Sequence, residues 1–568
     1  MRLRLKQFVV AALALVISGG LVPASALAHA QLEGSVPASG SLLKVLPQSF
    51  EFRFSEDVES GFGGIRVYDP NGRLIQSGGA FHPRGNGHSL ATKLSSDSSP
   101  GAYTATYRVI SADGHPVSGG SVFNVGSRNG KSAGSVAVLS KPPETGVFVD
   151  GALGLARFLE FFAIAIGLGS VLFLVLVWGR IASSGRLPKE IAEVFSSRLV
   201  LMVRLAAIFG VLACVLGITA QGALGSGTGL VDGFSPSTVK ATVGTRFGEV
   251  WALSVLAWVA VGALIAPAVR GARPARAIAL PLGFLAAMPA LSGHASTRSP
   301  AGLMAAANVA HVCAMAAWLG GVAILLLAVI PASAQARGKR SQVLAMALGR
   351  FSTVALVSVT VILLTGIIQS VVALDQPSQL FSSNYGRAVS LKVLLVLFLI
   401  GAGAGQRRRV IPGLKSLGDG TSGQAIVKRF LLTEMVLFVG VIAVTAALAS
   451  YSPLATAKTG PVSRTSQAGP LEVQTTVDPA AVGGNVIHIY VLDGKTGQPF
   501  SGARGLTVSE ELEPKGIGPL VQIPASAGPG HYIASGVTLP VRGTWRVRVN
   551  VRVSAFDEYT VTELIPVR

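Results

Sequence analysis

The segment from Leu291 to Gly321, LSGHASTRSPAGLMAAANVAHVCAMAAWLGG, holds the two histidines that fall within strongly apolar sequence, His294 and His311. His294 closes one apolar run, and His311 follows Met304 by seven residues in the next. Seven residues is two helical turns, about 10 Å along the axis, so Met304 and His311 share a helix face, and Met315 at i+4 joins them. Imidazole and thioether donors suit a soft, copper-like ion better than calcium or magnesium. The same residues also fit a histidine hydrogen-bonded across a helix bundle, with methionines as packing. A bilayer setting makes an ionisable side chain expensive and ties it to function, so both readings stay open.

A second donor set lies near the start of the chain. Arg2, Arg4 and Lys6 precede the apolar run Phe8–Ser18, and Ala26-Leu27-Ala28 follows, which reads as a secretory signal peptide over 1–28. The alternative is an uncleaved anchor, for which the run is short. Cleavage after Ala28 makes His29 the first residue, with a free amine and an imidazole able to chelate one metal. In Ser111-Ala112-Asp113-Gly114-His115-Pro116, Asp113 and His115 are two apart. In extended backbone they project to one side, and Gly114 lets the chain bend between them. His29, Asp113 and His115 together make a nitrogen-rich set with one oxygen, which suits tetragonal Cu(II).

The elements that must position these groups follow from composition and pattern. Half of the 568 residues are hydrophobic and 13% are charged, which excludes an ordinary soluble protein. The net charge of +20 sits in short basic segments between apolar runs without aromatic interleaving, so it points to a membrane and not to nucleic acid. Two cysteines, Cys214 and Cys313, both in apolar runs, allow neither a disulfide framework nor a CxxC motif. Residues 29–126 alternate in short runs, such as Phe50-Glu51-Phe52-Arg53-Phe54 and Tyr103-Thr104-Ala105-Thr106-Tyr107, broken by Asp69-Pro70-Asn71-Gly72 and Pro100-Gly101. That predicts an all-β sandwich or barrel. Within it His82 and His88 read as exposed loop histidines.

Residues 127–150 form a linker, and eight apolar runs follow within 151–452, near 152–178, 199–221, 249–268, 277–293, 304–330, 352–374, 388–404 and 430–450. The loops after the first, third, fifth and seventh runs carry most of the basic residues, among them Arg180, Arg273, Lys339 and Arg407 to Arg409. These are the cytoplasmic loops, so both ends of the mature chain lie outside. Arg157, Glu160, Glu249, Lys392 and Glu434, in or beside the runs, read as structural ion pairs or snorkelling side chains. A linker spans 453–470. Residues 471–568 return to β patterning, with strict alternation from Trp545 to Val553. His488 and His531 read as isolated structural histidines in that domain.

His29, Pro37-Ala38-Ser39-Gly40, Phe54-Ser55-Glu56 and Asp113-Gly114-His115-Pro116-Val117 followed by Phe123 resemble the CopC copper-binding family. The resemblance implies an Ig-like or cupredoxin-like sandwich that holds Cu(II) through His29, Asp113 and His115. The Met-rich Cu(I) site of some members has no counterpart, because no methionine or cysteine occurs from His29 to Asp150. Further along, several segments resemble the CopD copper-resistance membrane proteins. They are Thr245-Arg246-Phe247-Gly248 with Trp251, Ser292-Gly293-His294-Ala295, His311 with Trp318-Leu319-Gly320-Gly321, Arg350-Phe351-Ser352, Thr365-Gly366, and Tyr385-Gly386 with Lys392. Gln406-Arg407 departs from that pattern, where Asn-Arg is expected. The last domain resembles the YtkA-like Ig-fold modules.

These readings imply a multi-domain protein of the plasma (inner) membrane with an all-α eight-helix bundle between two all-β domains. It would capture Cu(II) outside the cell and transport copper, with uptake the favoured direction and a reductant or copper chaperone as possible partners. No GxxxxGK[ST] loop is present, and Asp493-Gly494-Lys495-Thr496-Gly497 lies outside the membrane, so neither nucleotide-driven pumping nor enzymatic activity is expected. Two alternatives remain. His294 and His311 could ligate one haem in an electron-transfer protein, or the chain could be a copper sensor or scaffold that moves nothing.

Overall fold

The computed structural model describes residues 30–126, 147–451 and 462–567, apart from 31, 39–40, 55, 96–98, 112–113, 115, 184–187, 271–275, 294–299, 336–339, 375–376, 411–420, 479, 481 and 497. The signal-peptide reading therefore falls outside the described residues. The chain divides into two compact units. One is the helical region from Glu144 to Ala455, and the other contains both β regions.

In the N-terminal β region, strands β1 (Leu32–Val36), β3 (Ser49–Phe54), β6 (Ser89–Leu94) and β5 (Gln76–Phe81) form one sheet in that order. Strands β2 (Leu42–Leu43), β8 (Pro116–Val125), β7 (Gly101–Ser111) and β4 (Val58–Tyr68) form the other. Alternation in β3 turns Phe50, Phe52 and Phe54 inward, and β7 adds Tyr103 and Tyr107. Tyr103 stacks on Phe123 at 5.4 Å, and Phe52 meets Tyr107 edge-on at 4.8 Å, so aromatic rings fill the space between the sheets.

The C-terminal β region is a second two-sheet structure. One sheet has the order β14-β15-β11-β10-β9 and the other β13-β12-β16-β17. Here β9 is Val462–Ala468, β10 Leu471–Asp478, β11 Gly483–Asp493, β12 Gly505–Leu512 and β13 Ile517–Gln522. The remainder are β14 (Ala525–Gly528), β15 (His531–Leu539), β16 (Gly543–Arg552) and β17 (Glu558–Val567). The alternation expected from Trp545 onward is observed, with Trp545, Val547, Val549 and Val551 all fully buried. The two β regions also touch through residues that each carries on the outside of a sheet. Ala102 of β7 and Val122 of β8 cluster with Ala527 of β14 and Ile533 of β15.

The main helices of the helical unit are α1 (Val147–Phe173), α2 (Lys189–Ser226), α3 (Arg246–Arg270), α4 (Ala279–Leu291), α5 (Ala301–Ile324), α6 (Arg340–Ala373), α7 (Asn384–Gly405) and α8 (Thr421–Leu448), with short helices at Pro236–Val243 and Gln379–Ser382 in the connections. Helices α1 and α5 continue through a π-helical turn to Ala182 and Ser333. The eight apolar runs thus appear as seven membrane-length helices and one shorter one. At 13 residues α4 is about 20 Å long, less than a hydrocarbon core of roughly 30 Å.

Lipid tails are as apolar as leucine, so helices in a bilayer associate by close packing and polar contacts, not by a hydrophobic drive. Glycines set the seams here. A Cβ on Gly210 or Gly217 of α2 would enter the indole of Trp258 or Trp251 of α3, respectively. The seven-residue spacing on both antiparallel helices places two tryptophans in two notches. Gly169 of α1 meets Gly320 of α5 backbone to backbone, and Gly321 receives the ring of Phe351 from α6. Replacing Gly217 by valine should therefore lower the thermal stability of the full-length protein in detergent by an amount in the overpacking range of about 1–3 kcal/mol. Gly283→Ala, where no atom lies within 4 Å of the new Cβ, should leave the melting temperature unchanged or slightly raised. Equal melting curves for the two variants would show that the α2–α3 seam is loose.

Candidate metal centre

Of the donors read from the sequence, His29, Asp113, His115 and His294 lie outside the described residues. Their surroundings are described in part. Ala30 is buried in the aromatic core of the N-terminal β region. Between β7 and β8, Gly114 has φ 88°, and its N–H donates to the Ser111 carbonyl at 2.8 Å. Asp113 and His115 flank that glycine. His82 and His88 each place Nδ1 on a backbone carbonyl, that of Ser89 at 2.8 Å and that of Phe54 at 3.3 Å, which gives both a role in holding the loop.

In the helical unit Met304, Asn308 and His311 lie on the face of α5 that meets α6. Met304 clusters with Val372, Asn308 donates to Gln369 Oε1 at 3.5 Å, and His311 Nδ1 lies 2.9 Å from Thr365 Oγ1. Each pair of residue numbers sums to nearly the same value, as an antiparallel helix pair requires. Met315 lies further along and packs into the main helical core. The Thr365 hydroxyl donates to the Val361 carbonyl at 2.6 Å, so its oxygen can only accept from His311. The proton of the neutral imidazole is thereby assigned to Nδ1, leaving the Nε2 lone pair open to a ligand. Gly366 keeps space beside the ring, since a Cβ there would stand 3.8 Å from Cε1. One turn away, the buried Asn308 Oδ1 has no partner.

Two of the other intramembrane ionisable residues have polar partners on other elements. Glu160 of α1 accepts from Trp258 Nε1 at 2.9 and 3.1 Å and lies 3.5 Å from Cys214 Sγ, while Arg157 donates to Ser450. Among the described residues no three His, Cys, Asp or Glu side chains converge as a metal cage.

Three family models match the chain: the CopC domain over 32–126, the copper resistance protein D-like N-terminal domain over 148–302, and copper resistance protein D over 345–448. Copper resistance protein C of Pseudomonas syringae pv. tomato is 30% identical over 19% of this chain and 89% of its own length. The chain belongs to the CopC–CopD copper-resistance family. The copper transport protein CutJ of Bacillus subtilis is 28% identical over 67% of this chain and 68% of its own. The crystal structure of CopC from Methylosinus trichosporium OB3b covers 17% of this chain and 93% of its own, at 28% identity and a TM-score of 0.16. His294 lies within the D-like N-terminal match, whereas His311 falls between the two CopD matches.

Sequence reading missed one pairing outside the membrane. His488 of β11 and His531 of β15, 43 residues apart, are buried with Nδ1 of the first 3.2 Å from Nε2 of the second and the rings 21° from coplanar. Tyr490 stacks on His531 at 4.3 Å, and His531 Nδ1 is buried without a partner. Burial pulls His488 down to about 4. Burial, with repulsion from His488, holds His531 well below the usual imidazole value. An unfolded imidazole titrates near 6.5, so between about 6.5 and 4 the unfolded chain binds more protons and stability is lost as pH falls through that window. Glu510, pushed up to about 7 by burial, acts in the opposite sense but is shared by wild type and variant. His488→Phe should therefore lose less melting temperature than wild type between pH 7 and pH 5, followed by circular dichroism. Equal losses would mean that the imidazoles are not held neutral by burial.

Proposed function

We propose that the protein captures Cu(II) outside the cell with its CopC domain and passes copper inward across the plasma membrane through its CopD domain. What supports this most is one arrangement: a chain that joins a CopC domain to membrane-length helices, one of which keeps His311 Nε2 free of hydrogen bonds from its oriented partner. In the CopC domain His29, by its amine and imidazole, would hold Cu(II) with Asp113 and His115. In the CopD domain His294, Met304, His311 and Met315 would offer softer donors along the path. The unoriented step is direction, and the charge pattern of the loops, which puts both donor sets toward the outer face, favours uptake. Copper here is cargo, and no enzymatic step is assigned to the chain.

Capture and passage separate by mutation. His311→Ala should lower cellular copper accumulation while Cu(II) binding by the N-terminal domain is unchanged. His115→Ala should abolish that binding and lower accumulation mainly when copper is scarce. Thr365→Val, which removes the acceptor that orients His311, should weaken metal binding at that site by about 10- to 100-fold, and Thr365→Ser should restore it. Normal accumulation in His311→Ala, expressed at wild-type level under both scarce and replete copper, would rule out this path.

Orientation has its own measurement. Cysteines placed at Ser127 and Ser466 should react with an impermeant thiol reagent in intact cells, or in spheroplasts where an outer membrane exists. One at Ser341 should react only after permeabilisation. Labelling at Ser341 but not at Ser466 in intact cells would reverse the topology.

A further inference from the structure

A carboxyl group in the middle of the helical unit is not used by the path through His311. Glu160 lies thirteen residues into α1, about 20 Å from that helix's start. Cys214 and Trp258 lie at matching depths, each twelve residues from a helix end, or about 18 Å. Glu160 and Cys214 are both fully buried. The indole that meets the carboxyl is held in place by absence: Gly210 of α2 leaves the notch that Trp258 fills, and a Cβ on Gly167 of α1 would stand 3.0 Å from the same ring. Two helices thus give up side chains so that a third can aim one N–H at Glu160.

Trp258 and Cys214 are the hydrogen-bond partners of Glu160 among the described residues, and neither is charged in its ordinary state. Helix α2 carries its charged residues from Lys189 to Arg204, ten or more positions before Cys214. Arg157, on the same helix as Glu160, donates to Ser450. Helix α4 carries no ionisable residue. His311 of α5 is turned to Thr365 of α6, and Glu434 of α8 faces Gly403 of α7. The charged residues of α3, Arg246, Glu249 and Arg270, lie near its ends. An ionised carboxylate with one full-strength neutral donor, at bilayer depth, is strongly disfavoured. In the protonated form Trp258 Nε1–H still donates to Oε1, and Oε2–H can take over the contact that the weak Cys214 S–H donor makes to the carboxylate.

We propose that Glu160 is a proton-exchange site that couples cation passage through the CopD domain to proton movement. The coupling, though not the proton itself, rests on the transport reading above. The step is a simple one: the Oε2–H bond breaks, its electron pair stays on the carboxylate, and the proton leaves. A monovalent cation that enters this part of the bundle meets the negative charge that remains, so one proton departs per cation and the buried region stays neutral. Cys214 and Trp258 are positioning residues for this exchange.

Infrared spectroscopy of the full-length protein in lipid nanodiscs tests it. At neutral pH wild type should show the C=O stretch of a protonated carboxyl that Glu160→Gln removes and Glu434→Gln does not remove in the same position. Trp258→Phe should keep that band but move it to higher frequency, because the hydrogen bond to Oε1 is lost; this variant decides the case if the glutamine variant fails to fold. In vesicles containing a pH dye and supplied with Cu(I) outside, wild type should show copper-driven proton movement and Glu160→Gln should show none. A spectrum without a band assignable to Glu160, or equal copper-driven proton movement in wild type and Glu160→Gln, overturns the proposal. If the band behaves as expected and no vesicle accumulates copper, the transport reading and the coupling fall together, while the protonated state of Glu160 stands.

Discussion

Inside a hydrocarbon layer a polar side chain has no water to turn to, so each must find its partner within the protein. That constraint orders the helical unit. His311 has Thr365, whose own proton goes to Val361; Glu160 has Trp258 and Cys214; Arg157 has Ser450. Each pair joins two different helices, so the polar groups fix which faces meet while contributing little net attraction. An imidazole satisfied on one nitrogen and open on the other is oriented for a ligand at no further cost in ordering. A carboxyl buried with only neutral partners behaves differently, since it holds a proton until something positive replaces it.

Close packing supplies what the missing hydrophobic drive between helices does not. Gly210 and Gly217 receive Trp258 and Trp251; Gly169 and Gly320 bring α1 and α5 into backbone contact; Gly321 receives Phe351. Trp258 takes part in both kinds of contact, its ring in the α2 notch and its N–H on Glu160. Steric fit and polar satisfaction therefore converge on one residue. Several segments that resemble CopD, those around Trp251, Gly320–Gly321 and Phe351, turn out to be packing positions, so that likeness reports how the bundle closes as much as what it carries.

Local pattern made much of the architecture legible. Alternation from Trp545 onward marked a strand buried on one side because the side-chain period of a strand is two. Seven of the apolar runs became helices of membrane length. The run near 277–293 was legible as one of the shorter apolar runs, and it forms the 13-residue α4. The shared face of Met304 and His311 followed from their spacing, whereas Thr365 as the residue that orients His311 did not, since it lies 54 positions away. His488 and His531 looked isolated for the same reason, as adjacent strands bring them together. Glu160 read only as an ion-pair member or a snorkelling side chain, because its partners Trp258 and Cys214 lie 98 and 54 positions away on other helices.

The contact between the two β regions bears on the copper ligands of the CopC domain. β7 and β8 are paired from Gly101 and Val125 at one end to Ile110 and Pro116 at the other, and Asp113 and His115 fall in sequence between the two strands. On its inner face the ladder is packed by Tyr103, Tyr107 and Phe123, and on its outer face Ala102 and Val122 meet Ala527 and Ile533. The ladder is the middle of a four-stranded sheet, paired to β2 and β4 at its edges and packed on both faces, which makes it a rigid element of the kind a metal site needs if its geometry is to select one ion. The C-terminal region thereby has a structural reason to be in the chain: it packs against the strands that flank, in sequence, the Cu(II) ligands proposed above, Asp113 and His115.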